Sequence, residues 1–455
     1  MATPQVRQRV IQRPAPPARV AAVTRRSWFA TAPAIVAGTA LGAAACGPTG
    51  NGPEQVARSD APVTIELWVS WPDDFQGYWD TTLLPTFKER YPQATVALSW
   101  PGWGELETKL ITASLGGAMP QLFRMGASFV PNAADSGLAL ALDDRVRQWG
   151  QRQDFFDASW NTVVWRGKAW GIPQLTANRL WSYRQDLADE VGLKIPDTWT
   201  WEQQVELARQ GTRGDAQRVE RLGAHPLDVN THEWTAMLYA AGGRRTQGGK
   251  PAFQGSEGQW ALQLQLDRRN AILPSGREGP PAPPKGSSHF AQGHTVMIYG
   301  NMNVAKVVER FAPDRLQYVT VPLPPVKTKR ITVGNTDWFA IGKNAKAQDA
   351  AWELLKLIAE PAALIAYNEA RFFIPPRKSA VQEAAYMRQP FMQRAVEAHE
   401  QFGLASPLAP SYARLNPPLV EAMEDAFAGR KSVRQALEDA AAQWTPILAE
   451  VAWED

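Results

Sequence analysis

Three short runs rich in β-branched and apolar residues, at 63–69, 95–100 and 121–125, are separated by two stretches with helical spacing. The first stretch sets Leu83, Leu84, Phe87 and Tyr91 on one face and stops at Pro92. The second, 105–115, sets Leu106, Leu110 and Ile111 on one side and stops at Gly116-Gly117. This β-α-β-α-β order leaves few topologies. Strands joined by helical crossovers run parallel, and the loops at their C-terminal ends open along one edge of the sheet, where ligands bind. The alternation therefore predicts an α/β fold with a largely parallel sheet and a cleft at one edge.

The rest of the chain carries more helices than strands and exceeds one ordinary core. At 455 residues, two or more packing units are expected. Residues 167–183 lie between two regions of different pattern. They read as a turn at Gly167-Lys168 followed by two extended segments kinked at Pro173, a crossing from one lobe to another. Beyond it the pattern gives helices at 186–192, 201–210 (capped by Thr198 or Thr200), 233–241 (ended by Gly242-Gly243) and 258–270. A Pro/Gly-rich surface loop covers 275–288, a buried strand 295–299, and the turn Gly300-Asn301-Met302-Asn303 follows. A proline-rich connection at 322–329 leads to a strand at 333–341 and apolar helices at 349–358 and 361–370. Pro375-Pro376 is a hard break, and the remainder, including 432–442, is helical.

The first 45 residues have a different chemistry. Their only charges are Arg7, Arg9, Arg13, Arg19, Arg25 and Arg26, and the uncharged, small-residue run 29–45 follows. This is the layout of an export signal, and at about 17 residues the run is marginal for a membrane span. Arg25-Arg26-Ser27-Trp28-Phe29 resembles a twin-arginine signal, and Ala43-Ala44-Ala45-Cys46 resembles a lipobox, with Ala43 where Leu is usual. Cys46 is the only cysteine, which excludes an intramolecular disulfide and fits a lipidated N-terminus. Residues 46–61, rich in Gly, Pro and polar residues, read as a flexible tether. Losing six arginines takes the formal charge from +3 to −3, which disfavours nucleic acid as a partner.

Catalytic signatures are absent. His232-Glu233 has Ala236 where a zinc-binding helix needs its second His. Gly126-Ala127-Ser128 lacks the second Gly of a nucleophile elbow, and there is no phosphate loop. His289 and His294 are five apart, off one helical face, so no metal or cofactor site is expected. Asp73-Asp74 and Asp143-Asp144 are the carboxylates a surface glycosidase would use, although adjacent acids more often cap helices or stay solvated. What the chain does offer is 19 tryptophans, of which Trp71, Trp103, Trp181, Trp234 and Trp338 fall next to turns or strand ends. A broad, rigid Trp face suits the C–H face of a sugar, with Asn, Asp and Arg for its hydroxyls.

Several segments together resemble a known family. They are the signal and lipobox, Gly167-Lys168-Ala169-Trp170-Gly171-Ile172-Pro173, Trp181-Ser182-Tyr183-Arg184-Gln185-Asp186-Leu187 and Pro196-Asp197-Thr198-Trp199. Phe290-Ala291-Gln292-Gly293-His294-Thr295-Val296-Met297, the stretch 334–341, Ala350-Ala351-Trp352-Glu353-Leu354-Leu355-Lys356-Leu357, Pro375-Pro376-Arg377 and the stretch 429–437 complete the set. In order and spacing they are similar to the family 1 extracellular solute-binding proteins of ABC importers, the lipoprotein relatives of maltose-binding protein. The resemblance implies a two-lobed periplasmic-binding-protein fold of type II with a hinge of crossing segments and a central cleft. It implies an N-lobe of 62–174 plus 336–376, a C-lobe of 178–330 plus 380–455, and crossings near 174–178, 327–336 and 374–380. It further implies a monomeric, lipid-anchored receptor on the outer face of the cell membrane, with no chemistry of its own. Such a receptor delivers a sugar or polyol to permease subunits. A surface glycosidase and a sensory or scaffold lipoprotein are the alternatives. Carried onto this sequence, the ligand-contacting positions are Ser70, Trp71 and Asp74; Trp103; Met125 and Ser128; Asn178; Trp234; Asn301 and Met302; Asp337 and Trp338; and Arg371. Arg124, Arg179 and Arg371 are the cleft cations a phosphate ligand would need.

Overall fold

The computed structural model describes residues 62–70, 76–225, 228–405, 409 and 411–450, apart from the side chain of Trp103. The expected signal, Cys46, the tether, Trp71, Asp73 and Asp74 lie outside the described residues.

The opening alternation folds as its pattern requires. Strands β1 (Val63–Trp68), β2 (Ala94–Ser99) and β3 (Leu122–Gly126) alternate with helices α1 (Leu84–Arg90) and α2 (Trp103–Leu115). Strand β1 pairs in parallel with both β2 and β3. Leu83 and Phe87 bury the face of the first helical segment, and Leu106 and Leu110 that of α2. Ile111, expected on the apolar side, is 44% exposed; it lies one residue past Leu110, about 100° around the helix and off the buried stripe.

The crossing differs from its sequence reading in an instructive way. The turn falls one residue early, at Arg166-Gly167, and joins Val164–Trp165 to Lys168–Ala169. Both turn residues have positive φ, 49° and 68°, the pairing that a tight two-residue hairpin needs. Pro173 does not end a strand. It lies inside β4 (Ile172–Asn178), and β5 (Leu180–Arg184) begins after Arg179.

A second set of elements follows. It comprises α3 (Trp201–Gly211), β6 (Val219–His225), α4 (Thr231–Ala240), α5 (Ser256–Ile272) and β7 (Thr295–Gly300). The chain then returns through β8 (Thr332–Ile341) to α6 (Gln348–Ile358), α7 (Pro361–Glu369), α8 (Pro390–Phe402), α9 (Tyr412–Phe427) and α10 (Val433–Ala449). Thr200, not Thr198, caps α3, in a full capping box with Gln203.

Two sheets result. The first runs Gly403–Ala405, β8, β3, β1, β2, with β4 also on β8; the second runs Val319–Thr320, β5, β7, β6, Arg213–Gly214. Strand β6 had no sequence assignment. It pairs in parallel with β7, which makes β7 a central strand. Strands β4 and β8 are antiparallel partners from Asn178↔Gly334 to Ile172↔Phe339, and their register shifts between Asp337 and Trp338. Leu175 faces Asp337 and Pro173 faces Trp338, so Gln174 is the extra residue of a β-bulge. A proline inside a sheet cannot donate to the ladder and is tolerated at such a bulge. The bulge sits where the chain passes between the sheets, and it turns Gln174 out of the ladder. Each sheet carries its own core, one around Ile65, Leu67, Phe87, Phe339 and Leu355, the other around Trp181, Trp199, Trp234, Phe253 and Trp444.

Candidate functional site

The C-terminal ends of β1 and β3 meet β4 and β8 at a buried polar seam. Arg124 of β3, with no exposed surface, is at its centre. Its Nε donates to Gln174 Oε1 (2.5 Å), one terminal nitrogen to Asp337 Oδ2 (2.5 Å) and the other to the Ser70 carbonyl (3.1 Å). Its guanidinium also lies 5.3 Å from the centre of the Tyr367 ring. Asn368 donates to the Gln174 carbonyl at 3.0 Å, holding the bulge from behind. Burial pushes the Asp337 carboxyl above its ordinary value, and the Arg124, Arg371 and Arg179 guanidiniums around it pull it back.

A second chain of hydrogen bonds runs along β4. Thr176 Oγ1 and Ser159 Oγ are 2.6 Å apart, Ser159 Oγ and His399 Nε2 3.0 Å, and His399 Nδ1 and Asn178 Oδ1 3.1 Å. Burial lowers the His399 pKa from 6.5 to about 4, so the ring is neutral. With Asn178 Oδ1 able only to accept, Nδ1 carries the proton and Nε2 accepts from Ser159. Gly334 makes this approach possible: a Cβ there would lie 2.8 Å from Asn178 Oδ1.

Elsewhere along these strands the bonding is less complete. Among the described residues, the buried atoms without a hydrogen-bond partner include Ser70 Oγ, Asn178 Nδ2, one terminal nitrogen of Arg179, Trp181 Nε1, Ser182 Oγ, Tyr299 Oη and Thr336 Oγ1. Arg179, between β4 and β5, faces Tyr299, Tyr412 and Asp337. His232, in the first turn of α4, faces Arg179 and Arg245, and burial with those cations lowers its pKa to about 3. The Tyr299 hydroxyl is held far above its ordinary range by burial and by Glu233. Glu233 itself is closed off by Arg268. Buried polar groups are normally paired, and unpaired ones along β4, β5, β7 and β8 are groups that a polar ligand could complete.

The structure sorts the sequence-derived positions. Ser70, Asn178 and Asp337 belong to the seam, and Arg371 faces Asp337 there. Met125 is buried opposite Trp338 in the ladder, and Ser128 is half-buried just past β3. Three others are packed among apolar residues. Trp234 is fully buried; it donates to the Gly258 carbonyl at 3.0 Å and packs edge-on against Phe253 in the second core. Trp338 is fully buried; it donates to the Gly126 carbonyl and packs edge-on against Phe123. Met302 is buried among the apolar residues around Phe372 and Phe391. All three act in packing, because a large apolar side chain gains most by leaving water altogether. Asn301 accepts from the Asn303 amide and shapes the turn before the next helix. Sequence reasoning missed His399, Tyr299, Tyr412 and Arg245 as seam residues, and it read His232 only as a failed metal motif. For His399, near the end of α8, a lone His among apolar neighbours was the available signal. Asp143 and Asp144 open a short helix, Asp143–Trp149, where acids favour the helix N-terminus; Asp144 is exposed, and Asp143 accepts from the Ala169 amide. Among the described residues no cluster of His, Cys, Asp and Glu could hold a metal ion, and no helix is long and apolar enough to cross a membrane.

The bacterial extracellular solute-binding protein family profile matches residues 69–365. No curated protein matches the chain. Among solved structures, an ABC transporter solute-binding protein of Thermotoga lettingae bound with α-D-tagatose is similar at TM-score 0.69 and 21% identity, over 85% of this chain and 99% of that one. The sugar-binding protein MalE of Xanthomonas citri is similar at 0.71 and 18%, over 85% and 98%. The cyclic α-maltosyl-1,6-maltose binding protein of Arthrobacter globiformis is similar at 0.69 and 20%, over 86% and 100%.

Proposed function

From the premise that the chain belongs to the bacterial extracellular solute-binding proteins, and so has their two-lobed fold, we propose that it is the receptor of an ABC importer that captures a carbohydrate or polyol. The observation that carries this reading is the group of unpaired buried polar atoms along β4, β5, β7 and β8, beside a bulged pair of hinge strands. A polyhydroxylated ligand offers donors and acceptors on every face and matches such a surface. The tagatose-bound and maltosyl-sugar-binding neighbours support it. The ligand contacts are Ser70, Asn178, Asp337, Arg371 and Ser128, joined by His232 and Tyr299 from the second lobe. Trp71, Asp74 and Trp103, which flank β1 and α2, supply the aromatic and acidic contacts. The lobes are 62–174 with 336–376, and 178–330 with 380–455. They close about Gln174–Asn178, and a bulge that breaks the ladder is where a hinge strand bends at least cost. The protein performs no chemistry on its ligand. It is exported through the Arg25-Arg26 signal, held to the membrane by a lipid on Cys46, and docks as a monomer on the permease.

A thermal-shift screen of residues 47–455 against mono- and oligosaccharides and polyols tests the reading. A ligand at about 100 times its Kd adds about 2.7 kcal/mol of stability. Asn178→Ala removes that shift while Trp234→Phe keeps it. Product released from any sugar, with no shift from any, refutes the receptor reading.

A further inference from the structure

Asn178 ends a hydrogen-bond chain whose direction its own atoms set. The other members are His399, Ser159 and Thr176, and all four side chains are buried. Asn178 Oδ1 is 3.1 Å from His399 Nδ1, His399 Nε2 is 3.0 Å from Ser159 Oγ, and Ser159 Oγ is 2.6 Å from Thr176 Oγ1. An amide oxygen only accepts, so the ring proton is on Nδ1 and Nε2 accepts from the Ser159 hydroxyl. Ser159 in turn accepts from Thr176, and every hydroxyl hydrogen of the chain is used. The opposite direction would turn the Asn178 amide round, move the ring proton to Nε2 and make Ser159 donate to Thr176. It would leave the Thr176 hydroxyl hydrogen buried with no acceptor among the described residues, a cost that the first direction avoids.

The His399 ring is closely held. Phe156 packs edge-on against it, centre to centre 5.2 Å. Two glycine backbones close on it as well: a Cβ at Gly403 would lie 3.0 Å from Nδ1, and one at Gly334 would lie 3.9 Å from Cε1. With Oδ1 taken by the ring, the Asn178 amide nitrogen is left buried with no hydrogen-bond partner among the described residues. Resting on the receptor reading above, in which Asn178 meets the solute, we propose that His399 is a positioning residue for recognition. By donating from Nδ1 it fixes which end of the Asn178 amide is left for the solute, and that end is the donor. The solute group that meets Asn178 is therefore an acceptor: a hydroxyl taken through its lone pair, a ring oxygen or a carbonyl oxygen. A group that can only donate, such as the ammonium of an amino sugar, is rejected there. His399 touches no solute itself.

Two substitutions separate this role from packing. Asn and Asp at 399 both place an atom near the position of Nδ1, and both lose the bond to Ser159. Only Asn can donate to Asn178 Oδ1; Asp accepts and so turns the Asn178 amide round. Residues 47–455 are titrated calorimetrically with glucose, galactose, mannose, maltose and glycerol, and the tightest of these is carried to the variants. Expected is that His399→Asn binds within about threefold of the unsubstituted protein, while His399→Asp binds at least about tenfold more weakly, the equivalent of one hydrogen bond. Long-range ¹⁵N NMR of the unliganded protein, with the signal assigned by its loss in His399→Gln, is expected to show the ring proton on Nδ1. That measurement needs neither variant to fold. A ring proton on Nε2, or equal affinities for the Asn and Asp variants, overturns the proposal and leaves the receptor reading intact as long as the unsubstituted protein binds a probe. If it binds none, the receptor reading falls and this proposal with it.

Discussion

Arg124 and Arg245 are both buried arginines, and they have opposite histories. Arg124 meets Gln174, Asp337 and the Ser70 carbonyl, and every element that passes through the seam contributes a partner. Arg245 has two aromatic faces and unused donors. The first cation ties the ends of β1 and β3 to β4 and β8 at the bulged Gln174. Complete bonding marks Arg124 as a charge that the fold itself uses.

The largest expected effect comes from breaking the complete side of this comparison. Arg124→Met leaves Asp337 and Gln174 buried without their partner and lowers stability by about 3–5 kcal/mol in urea or guanidinium unfolding. A loss under about 1 kcal/mol would mean the network is solvated. Acidification comes next. His399 has a folded pKa of about 4, below its ordinary 6.5, so its neutral form is the one the fold accommodates. Its contribution is full above pH 6.5 and is lost as pH falls through about 4, up to about 3 kcal/mol. The melting temperature therefore falls between pH 6.5 and 4, more steeply than in His399→Gln, which removes the titrating group. Gly171→Ala is expected to cost about 1–3 kcal/mol, because its new Cβ would enter the Trp338 ring in a core with no room to repack. The smallest effect sharpens the contrast. Arg245→Gln in the ligand-free protein changes stability by less than about 1 kcal/mol, since relief of an unpaired charge offsets the lost ring contacts. A loss as large as that of Arg124→Met would place Arg245 on the structural side.

Much of the first sheet was legible because each of its parts carries a local signal. β-branched runs, helical spacing and Gly or Pro stops at 63–125 agree with one another, and so do the Thr200 cap and the apolar helix α6. Strand β6 was not legible. Val219-Glu-Arg-Leu-Gly-Ala-His has neither clean alternation nor an apolar run, and its strand form is imposed by pairing with β7. The crossing segment read at 174–178 falls within β4, but Pro173 was read as a strand end when it lies inside the strand beside the bulged Gln174. The difference lies in the partner strand, since only β8 shows that one residue too many must be accommodated.

The same division holds for the site. A tryptophan next to a turn has no local feature that separates a cleft face from a core face. Trp234 and Trp338 sit at loop-proximal positions in the chain, and both are sealed by residues distant in sequence, Gly258 and Phe253 for one and Gly126 and Phe123 for the other. Arg245, in contrast, follows the Gly242-Gly243 helix stop and drew no assignment from the sequence. Its burial depends on Tyr412 and Trp444, nearly 170–200 residues further on. By itself the sequence determined the α/β class, the family resemblance and the place of the crossing, because these rest on short-range periodicity and on residues that restrict their own backbone. Which aromatics became core, which residue bulged and which guanidinium was left without a partner were decided only when distant segments met. Burial and hydrogen-bond completion are properties of pairs that the chain brings together, and neither residue of a pair encodes them alone.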